Sequence, residues 1–258
     1  MRPIWLGQTG RMDPLDALRA QDEELAALVD PLDGAGLLAA SRCDGWTVAD
    51  VLLHLAQTDE MAVASVEGRL DAYAASVGDL GPVADVDDLA ARLVERERTG
   101  PEEARERWQA AAEAQRAAFA SADLDARVTW VAGELAARTL ATTRLTETWI
   151  HTGDIAVAFG PPPAPTDRLW HTARLAWRTL PYAHARAGRE LQGAVAFDLV
   201  GPDGGRWRFG DDDAPTVVVG SALDLCTVAG QRARAGDTGL RASGPDATSV
   251  LELVRTFA

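Results

Sequence analysis

The sequence predicts an α+β protein in two parts, an antiparallel four-helix bundle followed by a small α+β domain with an antiparallel sheet. In residues 13–160, apolar side chains recur at helical spacing, whereas residues 167–258 alternate helical stretches with short β-branched runs. The proline-rich linker 161–166 separates the two parts. The length of 258 residues also favours two domains, because a single hydrophobic core stops growing near this size.

Helical periodicity defines the long helices of the first part. The dipeptide Asp30-Pro31 ends the first helix, because proline restricts the residue before it. Thr47 is a good N-cap for the second helix, and Asp50 favours its first turn electrostatically. Pro101 interrupts the third helical section. The four predicted sections cover residues 13–29, 47–70, 85–119 and 135–159.

The second part is predicted to pack helices on one face of a small sheet. Glycines and a proline in residues 201–205 indicate a turn, so the strands on either side of it form a hairpin. Ser221 is a predicted helix cap. Strands are predicted at 194–200, from 207, at 216–219 and at 240–242, and helices at 166–187, 221–234 and 246–257.

The charge and apolar pattern exclude several classes of function. A formal net charge of −14 disfavours nucleic-acid and membrane-surface binding, because such a surface repels phosphate groups. The sequence has no apolar run long enough to cross a bilayer and no signal-peptide core, so we expect a cytoplasmic protein. Residues 1–12 are expected to be a disordered lead. The two cysteines, Cys43 and Cys226, are expected to be small, at least partly buried side chains in a reducing compartment.

Three side chains on two predicted helices could bind one metal ion. Glu147 and His151 are four residues apart, so they share a helix face, and Asp154 continues that face. His54 lies on the second helix and can supply a third ligand. Two histidines and one carboxylate with an open position form a catalytic zinc site, although non-haem iron uses the same set. Asp154 can orient a ligand. The competing interpretation is an exposed ion pair and a histidine that only packs between helices.

Other catalytic motifs are missing from the sequence. It has no glycine-rich dinucleotide loop, no phosphate-binding loop and no Gly-x-Ser-x-Gly elbow. No cysteine or serine nucleophile is predicted near the metal residues, so a metal-bound water or an external thiol is the expected nucleophile. His171 and His184 are predicted to be structural or exposed.

Two segments resemble the mycothiol-dependent maleylpyruvate isomerase family, whose N-terminal part is a DinB-like metal-binding bundle. They are residues 44–55 (DGWTVADVLLHL) and residues 144–156 (RLTETWIHTGDIA). Residues 219–226 and 237–240 resemble the family's sterol-carrier-like C-terminal domain. The resemblance implies a divalent metal, usually zinc, bound by His54, Glu147 and His151. Residues 130–135 depart from the family's segment before the last helix, which leaves the substrate open.

The resemblance implies an enzyme in which a low-molecular-weight thiol such as mycothiol is held as a metal-bound thiolate. Its reaction would be isomerisation or S-transfer on an electrophilic small-molecule substrate. The predicted catalytic residues are His54, Glu147 and His151, together with Asp154, which the helix spacing places on the same face. Arg232 and Arg144 are candidates for binding the cofactor or its carboxylate. Two alternatives are a thiol-independent metal-dependent hydrolase, lyase or cyclase of a specialised metabolite, and a non-catalytic, metal-stabilised binding module. We expect a monomer or a homodimer.

Overall fold

The computed structural model describes residues 12–131 and 133–256. They divide into two compact units. The bundle unit holds Leu18–Ala164, and the C-terminal unit holds Pro165–Arg255 together with residues 12–17. The predicted lead at residues 1–11 lies outside the described residues. Among the helices in the described part of the chain, none combines the length and apolarity needed to cross a bilayer.

The bundle unit is built around four long helices, all of which periodicity predicted, with their ends shifted by a few residues. Pro101 begins a new helix, as expected, because proline at the first helical position lacks only an N–H that would have no partner there. The sequence did not predict two short helices and a β-hairpin. The elements are α1 Pro14–Val29, α2 Gly34–Leu37, α3 Val48–Val66, α4 Leu70–Val77, α5 Val86–Glu97, α6 Pro101–Ser121, β1 Arg127–Trp130, β2 Gly133–Ala136 and α7 Ala137–Ala156.

Helix α3 is the central element of the bundle unit, and it packs against α5, α6 and α7. It begins with a capping box, in which Asp50 N–H donates to the Thr47 hydroxyl and Thr47 N–H donates to the Asp50 carboxylate. Burial raises the pKa of Asp50, but hydrogen bonds from Arg98 and Thr47 outweigh it and hold that pKa below its ordinary value. Most of α3 is buried, which places His54 inside the unit.

The core of the bundle unit joins side chains from α1, α3, α6 and α7. Leu25 and Val29 of α1 pack in one cluster with Trp108 of α6 and Ile155 of α7. Trp108 is only 1% exposed, so a large aromatic surface is removed from water beside α3. This shared core holds α3 and α7 at fixed positions in the unit.

The C-terminal unit combines helices with one four-stranded sheet, and the predicted α+β class is confirmed. Ser221 caps its helix, as the sequence predicted, by accepting from the Asp224 N–H. The elements are α8 Leu169–Arg186, β3 Val195–Val200, β4 Arg206–Phe209, β5 Thr216–Ser221, α9 Ala222–Ala229, a 3₁₀ helix Ala235–Asp237, β6 Arg241–Ser243 and α10 Ala247–Leu253.

The sheet is mixed, because two of its three strand pairs are antiparallel, as predicted, and the third is parallel. Its strand order is β4-β3-β5-β6, and β3 pairs with β5 in parallel. After the β3–β4 hairpin, residues 210–215 carry the chain past the start of β3 to its other side. Gly210 makes this close passage possible, because it has φ 88° and a Cβ there would lie 2.6 Å from the Val195 carbonyl oxygen. Strand patterning alone does not reveal on which side of β3 the next strand falls.

Candidate metal centre

Helices α3 and α7 bring the three predicted metal ligands together inside the bundle unit. His54 projects from α3, while Glu147 and His151 lie one turn apart on α7. All three side chains are buried, and one ligand atom from each lies within 4.8 Å of the others. Side chains separated by nearly 100 residues in sequence therefore form one compact donor cluster.

The spacing of the donor atoms suits a single cation. Nε2 of His151 is 3.7 Å from Oε2 of Glu147, and the His54 and His151 rings meet edge to face at 5.0 Å between centroids. A tetrahedral zinc ion with bonds of about 2.0–2.1 Å places its ligand atoms about 3.3 Å apart. The distance between His151 Nε2 and Glu147 Oε2 is close to this value, and all three donor atoms lie within 4.8 Å of one another.

Asp154 lies beside His151 and determines which nitrogen of the His151 ring is available to bind a metal. Oδ2 of Asp154 is 3.0 Å from Nδ1 of His151, and the Asp154 carboxylate is almost fully buried. With Nδ1–H donating to this carboxylate, the Nε2 lone pair points towards Glu147 and His54. The Arg42 N–H donates to the Asp154 carbonyl oxygen at 2.9 Å, which ties the end of α7 to the loop before α3.

Cys43 also contacts the site, which corrects the prediction that no cysteine lies near the metal residues. Its Sγ is 3.4 Å from Oδ2 of Asp154 and 3.9 Å from Nδ1 of His151, so these three residues form a second possible ligand group. The loop is closed by Ser41, whose hydroxyl donates to the Trp46 carbonyl oxygen. Because Cys43 immediately precedes the first of the two motif segments, its position in the sequence was the available signal.

The two possible ligand groups share His151 but use opposite sides of its ring. Cys43 and Asp154 approach Nδ1, whereas Glu147 approaches Nε2. The Asp154 carboxylate already occupies the Nδ1 side at hydrogen-bond distance. The group of His54, Glu147 and His151 is therefore the better candidate for the cation.

Trp46 forms one wall of the site. Its ring lies 5.3 Å from the His54 ring between centroids, tilted by 50°. Trp46 is only partly buried and packs against the hydrophobic core of the bundle unit.

The two arginines considered for cofactor binding lie in different units. Arg144 is 1% exposed, and its guanidinium contacts the buried Asp59 carboxylate. Arg232 belongs to the C-terminal unit, where Nη1 donates to the Gly230 carbonyl oxygen and the residue lines a cavity of about 820 Å³ with Arg234 and Arg255. Cofactor binding by either arginine stays a prediction.

The remaining two histidines have structural contacts within the C-terminal unit. Nε2 of His171 lies 3.0 Å from the Met12 carbonyl oxygen. His184 is 1% exposed, with its ring nitrogens near the Leu180 carbonyl oxygen and the Ser249 hydroxyl. Both side chains pack inside the unit, which agrees with the structural role predicted for them.

Comparison with known proteins identifies the family. Residues 18–156 match the family model described as "Mycothiol maleylpyruvate isomerase N-terminal domain". The chain belongs to this family. The matched range contains all three candidate ligands together with Cys43 and Asp154, so the whole candidate site lies within the family's characteristic domain.

Relatives and solved structures extend the likeness beyond the bundle unit. Uncharacterized proteins from two strains of Mycobacterium tuberculosis are each 31% identical over 244 residues, covering 93% of both chains. The crystal structure of the mycothiol-dependent maleylpyruvate isomerase superposes with a TM-score of 0.58 at 19% identity, covering 89% of this chain and 91% of that one. A histidine-to-alanine mutant of that isomerase matches with the same TM-score at 18% identity. At this identity, the structures show a shared fold.

Proposed function

We propose that this protein is a divalent-metal-dependent enzyme that uses a mycothiol-like thiol. It either isomerises an electrophilic small molecule or attaches the thiol to it through the sulfur atom. The observation that carries the proposal is the buried convergence of His54, Glu147 and His151 within 4.8 Å. The family to which the chain belongs supports the thiol and the isomerase class.

The donor set fits a catalytic metal better than a structural one. Two imidazoles and one carboxylate are three protein ligands, and catalytic zinc sites keep a fourth position open for substrate. Structural zinc sites are usually closed by four ligands, mostly thiolates. When bound, the cation supplies Lewis acidity and favours the deprotonated form of a thiol sulfur at the open position. Zinc suits this mixture of nitrogen and oxygen ligands, and iron is the competing metal.

The chain's own residues prepare the site for this chemistry. Asp154 holds a proton at Nδ1 of His151 and so keeps the ring in one tautomer and one orientation. Burial of His54 and Glu147 limits the access of bulk water to the donor atoms. Trp46 adds an apolar wall next to the His54 ring, against which a substrate carbon skeleton can pack.

The thiol is proposed to come from outside the chain, because Cys43 approaches the wrong side of His151. Its Sγ contacts Nδ1, whereas Glu147 marks the metal side at Nε2. An external thiolate adds to an electron-poor carbon–carbon double bond, the resulting single bond rotates, and expulsion of the same thiolate restores the double bond in the other geometry. In S-transfer, the adduct instead takes up a proton and the thioether is the product.

The compartment proposed for this reaction is the cytoplasm, because thiol chemistry needs a reducing environment. Neither Cys43 nor Cys226 forms a disulfide, as is usual for proteins of such compartments.

Two measurements on the purified full-length protein test the proposal. Elemental analysis is expected to find about one divalent metal per chain, and the His54→Ala variant is expected to lose it. The zinc-loaded protein is then incubated with mycothiol and either monobromobimane or a cis-configured unsaturated dicarbonyl compound. Thioether formation or isomerisation that requires both metal and thiol supports the proposal. Turnover without any thiol favours the hydrolase, lyase or cyclase alternative.

A further inference from the structure

A buried ion pair joins the two helices that carry the candidate ligands. Nε of Arg144 donates to Oδ1 of Asp59 at 3.0 Å, and Nη2 approaches the same oxygen at 3.0 Å. The two side chains are only 1% and 0% exposed. They are the most deeply buried ion pair found among the described residues, and the mechanism above does not use them.

The pair lies close to the metal residues along both helices. Asp59 follows His54 by five residues on α3, and Arg144 precedes Glu147 by three residues on α7. At 1.5 Å per residue, these separations correspond to roughly 7.5 Å and 4.5 Å along the helix axes. A slip of one helix along the other would therefore shift His54 relative to Glu147 and separate Asp59 from Arg144 at the same time.

Burial makes such a slip unfavourable. A buried charge without a partner is far less stable than one in water, so neither Asp59 nor Arg144 can leave the other at low energy. Replacing a buried ion pair by well-packed apolar residues is often neutral or stabilising for the fold. The net contribution of the pair to stability therefore does not explain it well, whereas its directional contact defines one alignment of α3 against α7.

Polar groups on two other helices lie near the contact. Burial raises the pKa of Asp59 to about 6, and Arg144 opposes this rise. Gln115 of α6 also acts to lower that pKa, and Arg116 of α6 forms an ion pair with the buried Asp22 carboxylate of α1 at 2.6 Å. The Asp59–Arg144 pair thus belongs to a polar cluster that contacts all four long helices.

We infer that Asp59 and Arg144 are positioning residues, whose ion pair sets the register of α3 against α7 and thereby places the His54 ring opposite Glu147 and His151. The inference rests on the proposed metal site. It also assigns Arg144 a role inside the bundle rather than on a bound ligand.

The test compares this pair with the Arg116–Asp22 pair of the same cluster, in which Asp22 is buried and Arg116 is partly exposed. The variants are Asp59→Asn, Arg144→Lys and the double variant Asp59→Leu/Arg144→Met, which removes both charges without leaving one unpaired. Arg116→Met is the matched control, because it breaks the Arg116–Asp22 pair between α6 and α1, which carry no candidate ligand. Circular dichroism and thermal unfolding of the full-length chain confirm that each variant is folded.

Two readouts separate a positioning role from a general stabilising role. One is titration with Co²⁺, in which the visible absorption bands report both affinity and ligand geometry. The other is the set of ¹⁵N-histidine ring signals of the metal-free protein, which are few because the chain has four histidines. The signals of His171 and His184, in the C-terminal unit, serve as internal references.

A positioning role predicts displaced His54 and His151 signals in Asp59→Asn and the double variant. It also predicts an affinity for Co²⁺ that is lower by about tenfold or more. Arg144→Lys keeps the positive charge but loses the planar guanidinium group, so its ring signals and Co²⁺ affinity are expected to be intermediate. Arg116→Met is expected to have the ring signals and the Co²⁺ affinity of the wild type. Wild-type signals and affinity in the folded double variant would overturn the inference, as would equal changes in Arg116→Met. Should the wild type bind no Co²⁺, the metal proposal fails, and the ring signals alone decide the positioning role.

Discussion

His151 and Asp154 face each other across one turn of α7, with Nδ1 of the imidazole 3.0 Å from Oδ2 of the carboxylate. This contact directs Nε2 towards the other two candidate ligands, so it links the local geometry of one helix to metal affinity.

Weakening this contact is expected to reduce metal affinity without unfolding the protein. Asp154→Asn keeps the shape of the side chain but removes the negative charge that stabilises the Nδ1–H tautomer. We expect about a tenfold loss of zinc affinity, measured by competition with a chromophoric chelator. Cys43→Ser is the companion variant, and it is expected to have a smaller effect because serine also donates to the Asp154 carboxylate. Equal affinities of Asp154→Asn and the wild type would contradict the role given to Asp154.

Removing His151 is expected to distinguish between two hypotheses, that the protein is an enzyme and that it is a metal-stabilised binding module. In His151→Ala, we expect loss of bound metal and of turnover, while the unfolding temperature of the metal-free protein changes little. His184→Ala is the control, because His184 is also buried but belongs to the C-terminal unit. Unfolding must be compared in metal-free protein, since a bound ligand stabilises the folded state by mass action. Loss of stability in step with activity would favour the binding module.

The stability of the bundle unit is expected to depend on pH through Asp22. Burial and the nearby Asp59 charge raise the pKa of Asp22 from 3.8 to about 7, although Arg116 opposes the rise. Between pH 3.8 and about 7, Asp22 retains a proton in the folded protein that it has lost in the unfolded chain. The resulting stabilisation is therefore present at about pH 4 and is lost as the pH rises through about 7.

The Asp22→Asn variant tests this dependence. Between pH 4.5 and 8, the wild-type free energy of unfolding is expected to fall by roughly 3 kcal/mol more than that of the variant. Urea unfolding at several pH values measures the difference. Asp50 and Glu97 have lowered pKa values, so their contributions are lost only in more acidic solution. Parallel pH profiles for wild type and variant would show that Asp22 ionises normally.

Gly244 is expected to be indispensable to the C-terminal sheet. It has φ 108°, and a Cβ there would lie 2.1 Å from the Pro215 carbonyl oxygen. Gly244→Ala is therefore expected to lose about 2 kcal/mol or more of unfolding free energy. Gly236→Ala is the control, since nothing lies within 4 Å of its added Cβ. Chemical denaturation of the two variants side by side measures this contrast, and similar midpoints would refute the steric argument.

The parts of the fold that the sequence predicted correctly depend on short-range patterns. Helical periodicity located α1, α3, α6 and α7, and the pairing of Thr47 with Asp50 identified the start of α3. Spacing along one helix suggested Glu147 and His151 as partners, with His54 of another helix as a possible third ligand, and the resemblance to a known family supported the same three residues. The structure brings these three side chains together.

The parts that the sequence did not predict depend on contacts between distant residues. Cys43 meets His151 across 108 positions, and Asp59 meets Arg144 across 85, so no local pattern records either contact. The hairpin Arg127–Ala136 has strands of only four residues, too short for a clear alternation. The parallel pairing of β3 with β5 follows from the path of a loop rather than from strand composition.

Because the two cysteines have different environments, a thiol-reactive label is expected to attach to only one of them in the folded chain. Cys226 is fully buried with a raised pKa, and its Sγ donates to the Leu169 carbonyl oxygen, so alkylating reagents reach it only after unfolding. Cys43 is partly buried and lies 3.9 Å from a candidate ligand ring. A small environment-sensitive fluorophore attached there would report changes around His151 in the native protein, with no need to introduce or remove a thiol.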